Sequence, residues 1–167
     1  MQADAAQLIE QLKLQAHPEG GYYNEIFASS QTITAKALRG NYSGDRRIYT
    51  SIYYLLESGQ VSKFHRLASD ELWYFHAGSS LTVHVITPAG KYEPIIIGPD
   101  VSADQHFQAR VQAGCWFGAS VEQPNSYALV GCMVAPGFEF ADLEMADRNS
   151  LLDEFPQHKE IIERLTD

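Results

Sequence analysis

The stretch from residue 22 to residue 135 consists of about ten short β-rich runs separated by turn residues. No segment between these runs has the three- and four-residue apolar spacing of a helix. The predicted strands are residues 22–28, 33–38, 48–56, 62–67, 72–77, 81–87, 92–97, 107–111, 116–120 and 127–135. Because parallel strands need long crossover connections that are usually helices, the pattern favours antiparallel pairing. It predicts an all-β sandwich or barrel and argues against a parallel α/β sheet.

Helices are predicted on both sides of this β-rich stretch. Near the N-terminus, Leu8 and Ile9 belong to a run of apolar residues with helical spacing, and Asp4 can cap that helix. Near the C-terminus, Ile161 and Ile162 belong to a similar run. We predict one domain over residues 1–167, with a helix over about 4–14, a β-barrel over about 22–146 and a helix over about 150–165.

The composition is typical of a globular domain that folds without disulfides or metals. The chain has 167 residues, of which 45% are hydrophobic and 20% are charged, enough to bury a substantial core. No apolar stretch approaches the length of about 18 residues that a membrane span needs. The first residues lack the basic and apolar pattern of an export signal, so we expect a cytoplasmic protein without a membrane partner. Cys115 and Cys132 lie in apolar runs, which predicts buried free thiols.

The charge balance narrows the classes of partner. The chain has 12 Lys and Arg against 21 Asp and Glu, which gives a net charge of −9. Because surfaces that bind nucleic acid carry basic patches, we expect no nucleic-acid partner. The charge of a small ligand stays open, since a cavity can be locally positive in an acidic protein.

The segment from Gly59 to Gly78 holds the most informative arrangement of side chains. His65 lies near the end of one predicted strand, Glu71 lies at the beginning of the next, and five residues separate them. Antiparallel neighbours on one face approach to about 5 Å. Because side chains alternate along a strand, one face of the first strand carries Lys63, His65 and Leu67. The facing side of the second strand carries Glu71, Trp73 and Phe75. The sequence therefore predicts a His65–Glu71 pair in an interior walled by aromatic side chains.

The same segment resembles the first motif of the cupin superfamily, which contains a glycine, two histidines, a glutamate and a second glycine. Four positions match this motif: Gly59, His65, Glu71 and Gly78. Leu67 stands where the motif has its second histidine. In the second cupin motif Gly114 matches, and Phe117 stands where a third histidine is usual.

Further motifs make the chain similar to the small single-domain cupin subfamily filed as a domain of unknown function, cupin type 5. They lie at residues 17–23, 51–56, 69–73 and 130–138, and so cover nearly the whole chain. The resemblance implies an all-β double-stranded β-helix jelly roll, the cupin barrel, with N- and C-terminal helices. It also implies a homodimer, which would cover an exposed edge of the barrel.

Metal-dependent cupins hold a divalent ion with three imidazoles and one carboxylate, a set that suits borderline cations. By this resemblance His65 and Glu71 would supply two ligands, while Leu67 and Phe117 supply none. We therefore expect no metal or other cofactor, and keep a divalent metal on His65 and Glu71 as the alternative. His84 lies in a neighbouring predicted strand and could replace a missing ligand.

Epimerases with the same barrel use a histidine paired with an acidic residue as the base, and a tyrosine as the general acid. The resemblance implies that His65 is the base and that Glu71 orients it. The acid would be Tyr53 or Tyr54. The expected ligand contacts come from aromatic and polar side chains: Trp73, Phe75, His84, Trp116, Phe117 and Glu19. The protein would be a metal-independent isomerase or epimerase that binds a small carbohydrate-like or oxo-acid compound.

The sequence leaves other functions open. The barrel can be a non-catalytic module that binds a small molecule, because two ligand positions of the metal motif are lost. It can also be a metal-dependent enzyme with an incomplete ligand set. A third alternative is that the His65–Glu71 pair is structural and satisfied by its own hydrogen bonds.

Overall fold

The computed structural model describes residues 4–38 and 42–167. Its strands, numbered along the chain, are β1 (Gln15–Ala16), β2 (Tyr22–Ala28), β3 (Thr32–Ile33), β4 (Arg46–Arg47), β5 (Thr50–Glu57), β6 (Val61–Arg66), β7 (Asp70–Gly78), β8 (Leu81–Ile86), β9 (Tyr92–Ile97), β10 (Gln108–Val111), β11 (Trp116–Ser120), β12 (Tyr127–Ala135) and β13 (Glu144–Met145). Its α-helices are α1 (Ala5–Gln11), α2 (Arg148–Glu154) and α3 (Lys159–Arg164). Short 3₁₀ turns lie at Val101–Ala103, Phe140–Asp142 and Pro156–His158.

The strands form two main antiparallel sheets. The first has the order β1-β2-β5-β12-β7-β10, and the second has the order β13-β6-β11-β8-β9. Strands β3 and β4 form a separate pair. This arrangement confirms the predicted all-β double-stranded β-helix with helices at both ends. None of the described helices has the length and apolar character needed to cross a membrane.

Most predicted strands agree with the structure to within about two residues at their ends. The prediction of a strand over residues 33–38 is wrong, because β3 ends at Ile33 and the chain then turns. The short strands β1, β4 and β13 were not predicted. The predicted C-terminal helix is divided into α2 and α3 by the 3₁₀ turn at Pro156–His158, because proline lacks the N–H that a helix interior needs.

The main core lies between the two sheets, and the helices cover their outer faces. Inward side chains such as Trp73 of β7 and Phe117 of β11 belong to this core. Helices α2 and α3 pack over the second sheet around the buried side chain of Phe64. Helix α1 packs over the first sheet around Leu55 and Leu129. Cys115 and Cys132 are buried and unbridged, which confirms the predicted free thiols.

A β-bulge in β6 changes which of its side chains face inward. Ser62 pairs with Ala119 while His65 pairs with Phe117, so β6 has one residue more than β11 over this interval. Ser62 and His65 therefore both contact the interior. The predicted inward position of Lys63 is wrong, because its Nζ lies 2.5 Å from the carboxylate of the C-terminal residue Asp167.

Candidate functional site

A cavity with a volume of about 200 Å³ lies between the first sheet and the end of β6. Two histidines and three glutamates stand among its apolar and aromatic walls. The lining residues are Gln15, His17, Glu19, Tyr23, Asn24, Glu25, Thr50, Ile52, His65, Leu67, Glu71, Cys132, Val134, Phe138, Phe140 and Leu143. An apolar wall with a few convergent polar groups is typical of a small-molecule site.

The turn after β1 brings Glu19 into this cavity. The N–H of His17 donates to the carbonyl of Gly21, and the N–H of Gly20 donates to the carbonyl of His17, each at 3.0 Å. Gly20 has a φ of +110°, and a Cβ there would overlap the carbonyl oxygen of Val61. Only glycine therefore lets the turn pack this closely against β6. As a result the side chain of Glu19 is buried beside β6.

Glu19 and His65 form a buried pair that shares a proton. Nε2 of His65 lies 3.1 Å from Oε2 of Glu19. Nδ1 of His65 donates to the carbonyl of Lys63 at 2.7 Å, because a carbonyl oxygen can only accept. A neutral His65 ring therefore carries no hydrogen on Nε2, and its contact with Glu19 needs one proton held by either side chain. Ser62 Oγ donates to the other carboxyl oxygen of Glu19 at 3.2 Å.

The surroundings of this pair favour the neutral form of both side chains. Burial raises the pKa of Glu19 to about 7, and the neighbouring His17 and the hydrogen bond from Ser62 oppose this rise. Burial also lowers the pKa of His65 to about 4, against the hydrogen bond to Lys63. Near neutral pH the shared proton is therefore favoured on Glu19, which sits close to the midpoint of its titration.

Glu71 lines the same cavity, although it does not contact His65. Among the described residues, the carboxylate within 4.0 Å of His65 is that of Glu19. The expected His65–Glu71 contact is therefore replaced by a contact that a distant turn supplies. Burial and the charge of Glu19 raise the pKa of Glu71 to about 8, against the effect of a hydrogen bond with Cys132.

The two tyrosines that were expected as acids lie outside the lining of the cavity. Tyr54 is buried in the core, and its hydroxyl donates to the carbonyl of Gly20 at 2.7 Å. Tyr53 packs on the side of helix α1, with its ring 5.5 Å from that of His76. Alternation along β5 turns these neighbours to opposite faces of the sheet. Tyr54 shares the inward face with Thr50 and Ile52, which line the cavity, but its own side chain is packed in the core.

The predicted aromatic contacts also lie behind the cavity wall or away from it. Trp73 and Phe75 pack in or against the main core, and the ring of Phe117 lies 4.1 Å from that of His65. Trp116 lies near the C-terminal helices with the guanidinium of Arg66 over its ring at 4.4 Å. Phe117 therefore packs against His65, and none of the four side chains is among those that line the cavity.

His84 is buried elsewhere in the barrel. Its Nδ1 lies 2.7 Å from the hydroxyl of Tyr92, and its Nε2 lies 2.8 Å from Oγ of Ser120. Both ring nitrogens are therefore satisfied by hydroxyl groups. The predicted role of His84 as a ligand contact in this cavity does not agree with its position.

His17 and Tyr23 line the cavity, although neither was predicted as a catalytic or ligand-binding residue. Nδ1 of His17 lies 3.6 Å from Oε2 of Glu19, and the rings of His17 and Tyr23 meet edge to face at 4.5 Å. Burial lowers the pKa of His17, and Glu19 raises it. The sequence signal that points to this part of the site is a histidine and a glutamate just before the two glycines of a turn.

The residues at the cupin metal positions do not fit a metal ion. Leu67 and Phe117 occupy two of these positions with side chains that have no donor atom. Among residues 4–38 and 42–167, no group of three or more His, Cys, Asp or Glu side chains has an arrangement that could hold a metal ion.

Comparison with solved structures shows close relatives along the full length of the chain. Protein SO0799 from Shewanella oneidensis is 40% identical, with a TM-score of 0.88 and 99% of each chain covered. A hypothetical protein from Leishmania major is 34% identical, with a TM-score of 0.89, and 98% of this chain and 99% of that chain are covered. A Bacillus subtilis oxalate decarboxylase variant is 16% identical with a TM-score of 0.54, over 90% of this chain and 36% of that one, and so shows the fold alone.

Sequence comparisons identify the family. The uncharacterized protein YML079W from Saccharomyces cerevisiae is 30% identical over an alignment of 146 residues that covers 81% of this chain and 72% of the yeast protein. The family described as "Cupin superfamily (DUF985)" matches residues 6–146. The chain therefore belongs to the DUF985 family of the cupin superfamily.

Proposed function

We propose that the barrel binds a small carbonyl compound in this cavity and moves a proton at the carbon next to the carbonyl, as a metal-independent isomerase or epimerase does. The compound would be carbohydrate-like or an oxo-acid. The observation that carries the proposal is the 3.1 Å contact between Glu19 and His65 in the cavity wall. A buried pair that holds one proton near its titration midpoint is suited to general acid–base catalysis.

In this mechanism the ionised carboxylate of Glu19 removes the proton from carbon and returns it to the neighbouring carbon. Ser62 donates to one oxygen of Glu19. The other oxygen lies beside Nε2 of His65, which accepts a hydrogen bond from Glu19 when the carboxyl group is protonated, and the bond from Nδ1 of His65 to the carbonyl of Lys63 fixes the imidazole ring. Because the pKa of Glu19 is about 7, the same group can accept and donate a proton near neutral pH. Tyr23 takes the place proposed above for Tyr53 or Tyr54: it donates its proton to the carbonyl oxygen and takes one back from the enediol hydroxyl group when a carbonyl forms again.

The test measures exchange of carbon-bound hydrogen with solvent, so the product of the reaction does not have to be identified. Small ketoses, aldoses and oxo-acids are incubated with the protein in D₂O, and loss of the proton signal next to the carbonyl is followed by NMR. We expect exchange with at least one compound, and a decrease of about 100-fold or more for His65→Ala. The exposed His106 lies outside the cavity, so His106→Ala is the matched control.

An exchange rate that His65→Ala leaves unchanged would contradict the proposal. Binding without exchange, seen as a raised melting temperature, would favour the non-catalytic binding module instead. Elemental analysis of protein purified without chelator gives an independent test, since a stoichiometric transition metal would contradict the metal-independent mechanism.

We also propose that the protein acts in the cytoplasm as a homodimer. Its buried free thiols suit a reducing compartment. In the described residues, β1 covers β2 only at Tyr22 and Tyr23, so the rest of this edge can pair with a second copy. The exposed ring of Phe27 lies on that edge. Light scattering on the purified protein should give twice the mass of the chain, and a monomer would contradict the proposal.

A further inference from the structure

We infer that the cavity selects a small organic cation, a carbonyl compound that carries a protonated amine, such as an amino sugar. Glu71 would pair with the ammonium group while Glu19 acts on the neighbouring carbon. This inference rests on the small-molecule site proposed above and narrows its substrate class. It is independent of whether proton transfer takes place.

The first observation is the environment of Glu71. Its side chain lines the cavity and is more than nine-tenths buried, with 7% of its surface exposed. Among the described residues no Lys, Arg or His nitrogen lies within 4.0 Å of its carboxylate. A buried carboxylate is stable only with a partner of opposite charge or with several hydrogen bonds. A ligand that carries an ammonium group would supply the missing partner.

The second observation is that the charged side chains lining the cavity are all acidic. Glu19 and Glu25 line it together with Glu71, and the described lining residues include neither Lys nor Arg. The ionisable nitrogen atoms within 4.0 Å of Glu19 belong to the imidazoles of His17 and His65, which burial makes hard to protonate. An ammonium group would stabilise the ionised forms of these carboxyl groups, whereas an anionic oxo-acid would oppose their ionisation and would be repelled by those that are ionised. The net charge of −9 also attracts cations toward the protein.

The third observation is an aromatic cluster in the same wall. The ring of Phe140 is 54% exposed and lines the cavity. It lies 5.1 Å from the ring of Phe138, edge to face, and 6.3 Å from the ring of His17, stacked. Aromatic faces within about 6 Å of a cationic group attract it through their quadrupoles. Carboxylates inside the cavity and exposed rings in its wall together match an ammonium group on a small carbon skeleton.

The test compares three sugars that share one ring and differ in charge: glucosamine, glucose and glucuronate. Their binding to the full chain is measured by calorimetry at neutral pH, where the amine is protonated. Because hydrogen bonds between charged groups are about twice as strong as neutral ones, we expect glucosamine to bind about tenfold more tightly than glucose. Glucuronate should bind most weakly. Glu71→Gln should remove the preference for glucosamine, and Glu10→Gln, an exposed carboxylate on α1, should retain it.

Because Glu71 is buried, its variant is first checked for folding by circular dichroism. Phe140→Leu gives a second test at an exposed position and should weaken glucosamine several-fold more than glucose. The inference is overturned if glucose or glucuronate binds as well as glucosamine, if the preference survives Glu71→Gln, or if glucosamine does not bind. Equal binding of glucose and glucosamine, together with proton exchange that is lost in His65→Ala, would overturn this inference alone. Absence of both binding and exchange would overturn the proposed function as well.

Discussion

Two buried histidines, His65 and His84, have similar pKa values and very different neighbours. Burial lowers the pKa of each to about 4, so this property does not separate a reactive site from a structural one. The hydroxyls of Tyr92 and Ser120 satisfy both ring nitrogens of His84. Nε2 of His65 instead contacts a carboxyl group of similar burial beside a cavity. The partner and the adjacent space, more than burial, distinguish a site that can transfer protons.

The donor and the acceptor of each hydrogen bond around His84 are fixed. Oγ of Ser120 donates to Glu122 at 2.5 Å and therefore accepts from Nε2 of His84. The hydroxyl of Tyr92 then donates to Nδ1. Each proton in this chain has a fixed place, and Arg164 holds the carboxylate at its end. His84 thus stabilises the barrel, whereas the proton between His65 and Glu19 can lie on either side chain.

Removal of the acid beside His65 should have the largest effect. Glu19→Gln keeps the size of the side chain and its hydrogen bonds but cannot accept a proton. We expect the exchange of carbon-bound hydrogen, measured by NMR in D₂O, to fall by about 100-fold or more. His84→Asn, which changes the other buried histidine, should leave the rate unchanged. Equal losses in the two variants would show that the comparison between the histidines is wrong.

The pH dependence of stability should report the buried carboxyl groups. Burial raises the pKa of Glu19 to about 7 and that of Glu71 to about 8 from an ordinary 4.5, so their contribution to stability is lost as pH rises through these values. The lowered pKa of His65 and of His84 acts in the opposite direction, but only below pH 6.5. Between pH 6.5 and 8 the free energy of unfolding should therefore fall by about 2 kcal/mol.

Urea unfolding at a series of pH values measures this fall. Glu71→Gln should flatten the curve over that interval, because it removes the carboxyl group with the more strongly raised pKa. His84→Asn should leave the slope unchanged. A free energy of unfolding that rises between pH 6.5 and 8 would contradict the assignment of raised pKa values to these carboxyl groups.

Truncation of each histidine should reveal their different structural roles. His84→Ala removes a ring that bonds to two hydroxyls in a closed environment, so we expect a loss of about 2 kcal/mol in the free energy of unfolding. His65→Ala borders the cavity, where water can replace the ring, so its loss should be about 1 kcal/mol. Chemical unfolding measures both values. A larger loss for His65→Ala would make its role chiefly structural.

The smallest effect is expected for Lys63, the neighbour of His65 that the bulge in β6 turns outward. Its pair with Asp167 is largely exposed to solvent, and such pairs contribute about 0–1 kcal/mol. Lys63→Ala should therefore change the free energy of unfolding by less than about 1 kcal/mol and leave proton exchange intact. A large loss of exchange would mean that the side chain of Lys63 faces the cavity after all.

Local sequence signals were sufficient to predict the strands of the barrel. Gly78 ends β7, and Gly90 lies in the turn between β8 and β9, and both have positive φ values. The run over residues 33–38 was apolar enough to resemble a strand, but it has little pairing beyond Ile33. The two-residue strand β13 is defined by its pairing with β6 alone, and a pattern of alternating residues cannot reveal so short an element.

The candidate site was only partly predictable because its partners are distant in sequence. The inward position of His65 and the presence of Glu71 in the same interior followed from alternation along two neighbouring strands. The contact of His65 with Glu19 depends on how the turn at Gly20 packs against β6. The displacement of Lys63 depends on a bulge that strict alternation does not allow. Both features arise from tertiary packing and override the local pattern.

The central claim, that Glu19 and His65 share one proton at the wall of the cavity, can be tested without a ligand. The measurement is an NMR titration that follows the ring nitrogens of His65 and the carboxyl carbon of Glu19 as pH changes. We expect a neutral His65 ring with its hydrogen on Nδ1 at neutral pH, and a carboxyl group of Glu19 that titrates near pH 7. A Glu19 that titrates near its ordinary value of 4.5 beside a charged His65 at neutral pH would contradict the claim.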